Sequence, residues 1–178
     1  TGFSRMNFRG NLTTKALNDR LTVQTNLAGS TSDQSLGFNE AFRYATIFNP
    51  TTPFIQDQSN ANFSQWNGYY QQQLFDYYNP VAIIEQNVRE NARKTVAFNI
   101  RGDYALTDNL TAGLFYSTQR NNTAFGEYFS KFSFYTGQNR NGLAQRRNDE
   151  VQDQLFRLEL NYNKQFANNV DMGFLAGY

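Results

Sequence analysis

Charged and amide side chains recur at every second position in three stretches: Arg5, Asn7 and Arg9; Asn99, Arg101 and Asp103; Arg157, Glu159 and Asn161. A spacing of two is the repeat of an extended strand, so each trio projects from one face. Mixed signs on such a face predict paired charges and a surface that hydrogen-bonds a polar solute or another polar surface. Bond-making chemistry is poorly supplied. The sequence has no His and no Cys, which removes the imidazole base, thiol nucleophiles, thiolate or imidazole metal sites, and disulfides. Asp103 and Glu159 have no spacing that assigns them roles as general acid and base, so no enzyme is expected. The first set of candidate site residues is therefore Arg5, Arg9, Asn99, Arg101, Asp103, Arg157 and Glu159, with Asn7, Gln24, Asn26 and Asn161 beside them.

The elements that must carry these residues are strands. In "SRMNFRGNL" Met6, Phe8, Gly10 and Leu12 alternate with Arg5, Asn7, Arg9 and Asn11. After "LNDR", Leu21, Val23, Thr25 and Leu27 alternate with Thr22, Gln24 and Asn26, completing a hairpin. Val96, Phe98, Ile100, Gly102, Tyr104 and Leu106 form one face of a third strand, "TDN" turns the chain, and Leu110, Ala112, Leu114 and Tyr116 resume that face. A third hairpin carries Phe156, Leu158, Leu160, Tyr162 and Phe166, turns at "ANN", and continues with Val170, Met172, Phe174 and Ala176. Turns of Asn and Asp suit left-handed backbone angles.

Short turns within hairpins contrast with long intervals between them, 31–90 and 122–152. Compact soluble domains seldom contain structureless links of that length. An outer-membrane β-barrel alternates tight turns at one rim with large loops at the other. A half-buried sheet of a soluble sandwich or lectin-like domain shows the same alternation, and the loop asymmetry favours the barrel. Ten residues rising about 3.4 Å each at a tilt of about 45° climb roughly 24 Å, close to the apolar band of such barrels. Tyr104, Tyr162 and Phe166 fall where an interfacial aromatic belt belongs, and Lys164 can snorkel its ammonium to the same rim. No run of 18 apolar residues exists, so spanning by helix is excluded while spanning by strand is open. Lys plus Arg number 16 against 15 Asp plus Glu, which leaves no basic footprint for nucleic acid. The expected fold class is all-β: an antiparallel transmembrane β-barrel segment of about six strands in three hairpins, all within one barrel domain.

The first long interval carries its own signals. Phe38, Ala41, Phe42 and Ala45 at helical spacing predict a short amphipathic helix ended by Asn49 and Pro50. Trp66, Tyr69, Tyr70, Phe75, Tyr77 and Tyr78 are interleaved with amides, a mixture that can stack on sugar rings, pack on a protein partner, or fold upon itself. Trp66, Tyr69, Tyr70, Tyr77 and Tyr78 are the second set of candidates, for ligand or lid contact. Asn79 and Pro80 predict a capped helix carrying Val81, Ile84 and Val88, or the lead-in to the third strand. "GQNRNG" lacks the Lys and Ser or Thr of a P-loop. The carboxylates of "RRNDEVQD" read as a solvated charge cluster in the second loop rather than a calcium site. The N-x-S/T triplets at Asn11, Asn62, Asn109 and Asn121 are chance matches. No cofactor is implied.

"FDYYNPVAIIEQN" followed by "ARKTVAFNIRGDYALTDNLTAGLFYS" resembles the SusC/RagA class of TonB-dependent outer-membrane transporters of Bacteroidota, and "SRMNFRGNLTTKALNDRLTVQTNLAGS" resembles an earlier hairpin of the same barrel. The resemblance implies a barrel of about 22 strands around a plug. It also implies a SusD-like lipoprotein lid over the external loops, and import of a glycan or peptide driven by TonB. Neither plug nor TonB-contacting segment is present in these residues, so the chain reads as a piece of a longer protein. A passive porin or structural barrel, and a soluble carbohydrate-binding β-domain, are the alternatives.

Overall fold

The computed structural model describes residues 2–53, 59, 61–72, 77–166 and 170–178. Six strands form one antiparallel sheet in the order of the sequence, β1 (Gly2–Ala16), β2 (Leu21–Ser35), β3 (Asn87–Thr107), β4 (Leu110–Phe129), β5 (Leu143–Phe166) and β6 (Val170–Gly177). Short helices lie between β2 and β3: α1 (Glu40–Ile47), α2 (Ala61–Ser64) and α3 (Pro80–Gln86). Among the described residues no helix is long and apolar enough to cross a membrane, which says nothing about strands.

The turns form where the sequence permits unusual backbone angles. Leu17, Asn18 and Asp19 have φ of 56°, 55° and 64°, a left-handed run that Asn and Asp tolerate and Leu adopts only because its neighbours enforce it. At the β3–β4 turn the Thr107 hydroxyl accepts from the N–H groups of Asn109 (3.3 Å) and Leu110 (3.1 Å). The "ANN" turn lies outside the described residues, but the strands either side of it pair from Phe166 with Val170 to Glu159 with Gly177.

The strands run further than alternation predicts. Both intervals read as loops, 31–90 and 122–152, are strand at their ends, leaving 36–86 and 130–142 between strands. "RRNDEVQD" accordingly lies on β5 and not in a loop. Apart from Val151 its residues are polar on both faces, so ladder hydrogen bonds extend the strand where side-chain patterning is silent.

The chain forms two compact units. One comprises Arg5–Thr31, Arg93–Asn122 and Glu150–Tyr178, and is made of strand and tight turn; the other comprises Thr1–Ser4, Ser32–Ala92 and Thr123–Asp149, and contains the helices. Among the described residues the buried hydrophobic side chains all belong to the helical unit. Phe38, Ala41, Tyr44, Ile83 and Phe129 make one cluster, and Trp66, Tyr69 and Ala82 another. In α1 the buried stripe is Phe38, Ala41, Tyr44 and Phe48, whereas Phe42 is 77% exposed and Ala45 is exposed. The helix therefore exists as predicted but is turned, because Tyr44 meets the edges of Tyr78 (4.9 Å) and Tyr135 (6.2 Å). Helix α3 is likewise rotated from expectation: Ala82, Ile83 and Gln86 are buried while Ile84 is exposed, and Val88 lies past the end of the helix, on β3.

Candidate functional site

In the strand unit, contacts confirm that alternate residues share faces. On the polar face Arg101 Nε donates to Asp103 (2.8 Å) and its Nη2 to Glu159 (3.0 Å), while Arg157 Nη1 reaches the other oxygen of Glu159 (3.1 Å). Arg101 is on β3 and Glu159 on β5, with β4 between them. Gly113 of β4 makes the bridge possible: a Cβ there would lie 3.1 Å from Asp103 Oδ1 and 3.4 Å from Arg101 Nη2. Larger side chains would occupy the path of the guanidinium. Two positive and two negative groups thus neutralise one another, as mixed signs predicted. Arg157 also stands over the Phe115 ring at 5.8 Å.

The same face differs over β1 and β2. Asn26 Nδ2 donates to Asn99 Oδ1 at 2.6 Å. Arg5 is exposed and donates only to the Asn7 side chain (2.9 Å), and Arg9 is exposed with no hydrogen-bond or ion-pair partner among the described residues. Of the seven strand candidates, Arg101, Asp103, Arg157 and Glu159 are brought together, Asn99 joins Asn26, and Arg5 and Arg9 stand apart.

The opposite face of the strand unit is apolar and uncovered. Met6 (70% exposed), Leu12, Val96, Leu114, Leu158 (48%) and Phe174 represent all strands except β2, which adds Leu27. The band has a sharp limit along three neighbouring strands. Val96 is followed on that face by Lys94, Tyr116 by Thr118 and Arg120, and Phe156 by Gln154 and Gln152. Beyond the limit Arg120 pairs with Glu150. Lys164 lies near the other end, its ammonium 5.1 Å from the centre of the Phe166 ring. Glycine appears within the band where a ring needs its space: a Cβ on Gly29 would meet the Phe8 ring at 2.1 Å.

The helical unit places the loop candidates. Trp66 (3% exposed) and Tyr69 are buried, Tyr70 and Tyr78 are half-buried, and Tyr77 is exposed; Phe75 lies outside the described residues. Trp66 meets the edge of Phe134 at 4.8 Å, and Tyr78 packs on Phe134 and Tyr135. Of the three uses open to these aromatics, folding upon one another accounts for Trp66, Tyr69 and Tyr78, so their faces are not free for stacking on a ligand. The Tyr69 hydroxyl donates to Glu85 at 2.5 Å, and burial together with that carboxylate pushes its pKa up to about 12. Burial and the nearby Glu40 charge also raise Tyr135.

Buried amides hold this unit together, and sequence reasoning found only one of them. Asn79 is fully buried. Its side chain accepts from Val81 N and Ala82 N, capping α3, and donates to the Tyr70 carbonyl, while its own N–H donates to Gln71. Gln86 donates to the Trp66 carbonyl (2.6 Å), and Asn87 donates to the Ile83 carbonyl and accepts from Ser130 N. An Asn-Pro pair signals the cap; nothing local signals the tie of Gln86 to Trp66, 20 residues away, or of Asn87 to Ser130, 43 residues away. "GQNRNG" folds as a tight turn closed by Gly142 N on the Gly137 carbonyl at 2.9 Å. Among the described residues no group of three acidic side chains could hold a metal ion.

No family model matches the sequence, and no curated protein is significantly similar to it.

Proposed function

We propose that this chain forms part of the wall of a transmembrane β-barrel in the bacterial outer membrane. The observation that carries this reading is the uncovered apolar face of the strand unit, bounded abruptly by charged and amide side chains. A monomeric protein in water rarely leaves so extended an apolar surface open, whereas a barrel wall requires an apolar exterior band with a polar interior. The ion-paired polar face is then the interior wall.

The resemblance to SusC/RagA transporters extends this to TonB-dependent import of a large polar nutrient, a glycan or a peptide. In this reading a SusD-like lipoprotein closes over the loops, and TonB acts through a plug carried elsewhere in the protein. Burial of Trp66 and Tyr69 weighs against the alternative of a soluble carbohydrate-binding domain that uses those rings. The protein that contains this chain is expected in the detergent-extracted outer-membrane fraction, and cells are expected to take up its nutrient only when TonB is functional. Uptake that persists at full rate without TonB would make the barrel a passive porin.

A further inference from the structure

We infer that the polar face of β1, β2 and β3 is a binding groove for an oxyanion-bearing oligosaccharide, one that carries carboxylate or sulfate groups. The inference rests on the transporter reading of that face and names a substrate class for it.

Charge placement points to an anion. Over β3 to β5 the guanidiniums of Arg101 and Arg157 are answered by Asp103 and Glu159. Over β1 to β3 the groove contains Arg5 and Arg9 and no carboxylate at all. Arg5 meets only a neutral amide, and Arg9 meets nothing described. Four residues of extended chain separate them by about 14 Å along the strand, so a ligand that engages both must present oxyanions along its length. Uncompensated guanidiniums in a concave polar site concentrate anions and bind oxyanions through paired N–H donors.

The rest of the groove points to a sugar. Its lining includes Ala28 and Ala97, side chains too small to obstruct a ligand lying along the strands, and the amides Asn7, Asn11, Asn26 and Asn99. Amides offer both donors and an acceptor, which matches hydroxyl groups that also do both.

The test is calorimetric titration of the full protein in detergent micelles with trigalacturonate, maltotriose and triglutamate. Trigalacturonate is expected to bind, with maltotriose at least ten-fold weaker. The double variant R5Q/R9Q, checked by circular dichroism to retain its sheet, is expected to lose at least ten-fold in trigalacturonate affinity. R9Q alone is expected to lose part of that, and R146Q, altered at an exposed guanidinium of the helical unit, none. Equal binding of maltotriose, tighter binding of triglutamate, or unchanged affinity in R5Q/R9Q would overturn the proposal. Because binding is measured without TonB, loss of the import reading alone would leave these results standing.

Discussion

Leu160→Arg is expected to destabilise the membrane-inserted protein by about 2–4 kcal/mol, the cost of a basic side chain on the lipid face near mid-depth. The size of that loss is informative because Leu160 is 48% exposed. In water, an exposed position away from special backbone geometry accepts such a change within about 0.5 kcal/mol. Exposure to water therefore predicts near-neutrality, and lipid contact predicts a large penalty. Asn161→Arg, on the opposite face of the same strand, supplies the internal control and is expected to be nearly neutral. Reversible unfolding from lipid vesicles, followed by circular dichroism, gives both values. A loss under about 0.5 kcal/mol for Leu160→Arg would remove the lipid from that face.

Trp66→Ala is expected to cost the helical unit about 3–5 kcal/mol, the range for truncating a buried large aromatic residue. The indole packs with Tyr69, Ala82 and Phe134, and the backbone carbonyl of Trp66 itself anchors Gln86. The expected result is faster hydrogen exchange across α3 and 61–72, with protection of 96–106 retained. Tyr77→Ala, at an exposed ring, is expected to leave exchange unchanged. If instead Trp66 were a ligand-stacking residue, its removal would abolish ligand affinity while exchange rates stayed the same.

The strand pattern was legible because each hairpin has unlike faces. Val96 to Leu106 on one side and Asn99 to Asp103 on the other can be arranged only as a two-faced strand. Where both faces are polar, as from Arg146 to Glu150, alternation vanishes, and β5 extends about ten residues beyond its alternating stretch, its backbone pairing being invisible in side-chain type. Burial in α1 was misplaced for a related reason. Helical spacing identifies Phe42 as readily as Tyr44, but only Tyr44 finds aromatic partners, from segments some 34 and 91 residues away. Gly113 was unreadable as part of the charged cluster, since its contribution is the absence of a side chain between β3 and β5 and depends on the register of three strands. The candidate residues themselves divide along the same line. Charges whose partner stands two positions away, Arg101 with Asp103 and Arg157 with Glu159, could be paired on paper; the bridge from Arg101 to Glu159 could not.

Nitroxide labels read the two faces of the sheet most directly. Labels at Leu114 and Leu158, compared with labels at Asn99 and Asn161, are placed in the protein reconstituted in lipid vesicles, and their relaxation by oxygen and by a water-soluble nickel complex is measured. The predicted result is high oxygen and low nickel access at both leucines, with the reverse at both asparagines. Leucine labels that are reached by nickel as freely as the asparagine labels, or that are shielded in a particle stable without lipid or detergent, would contradict a membrane-facing band.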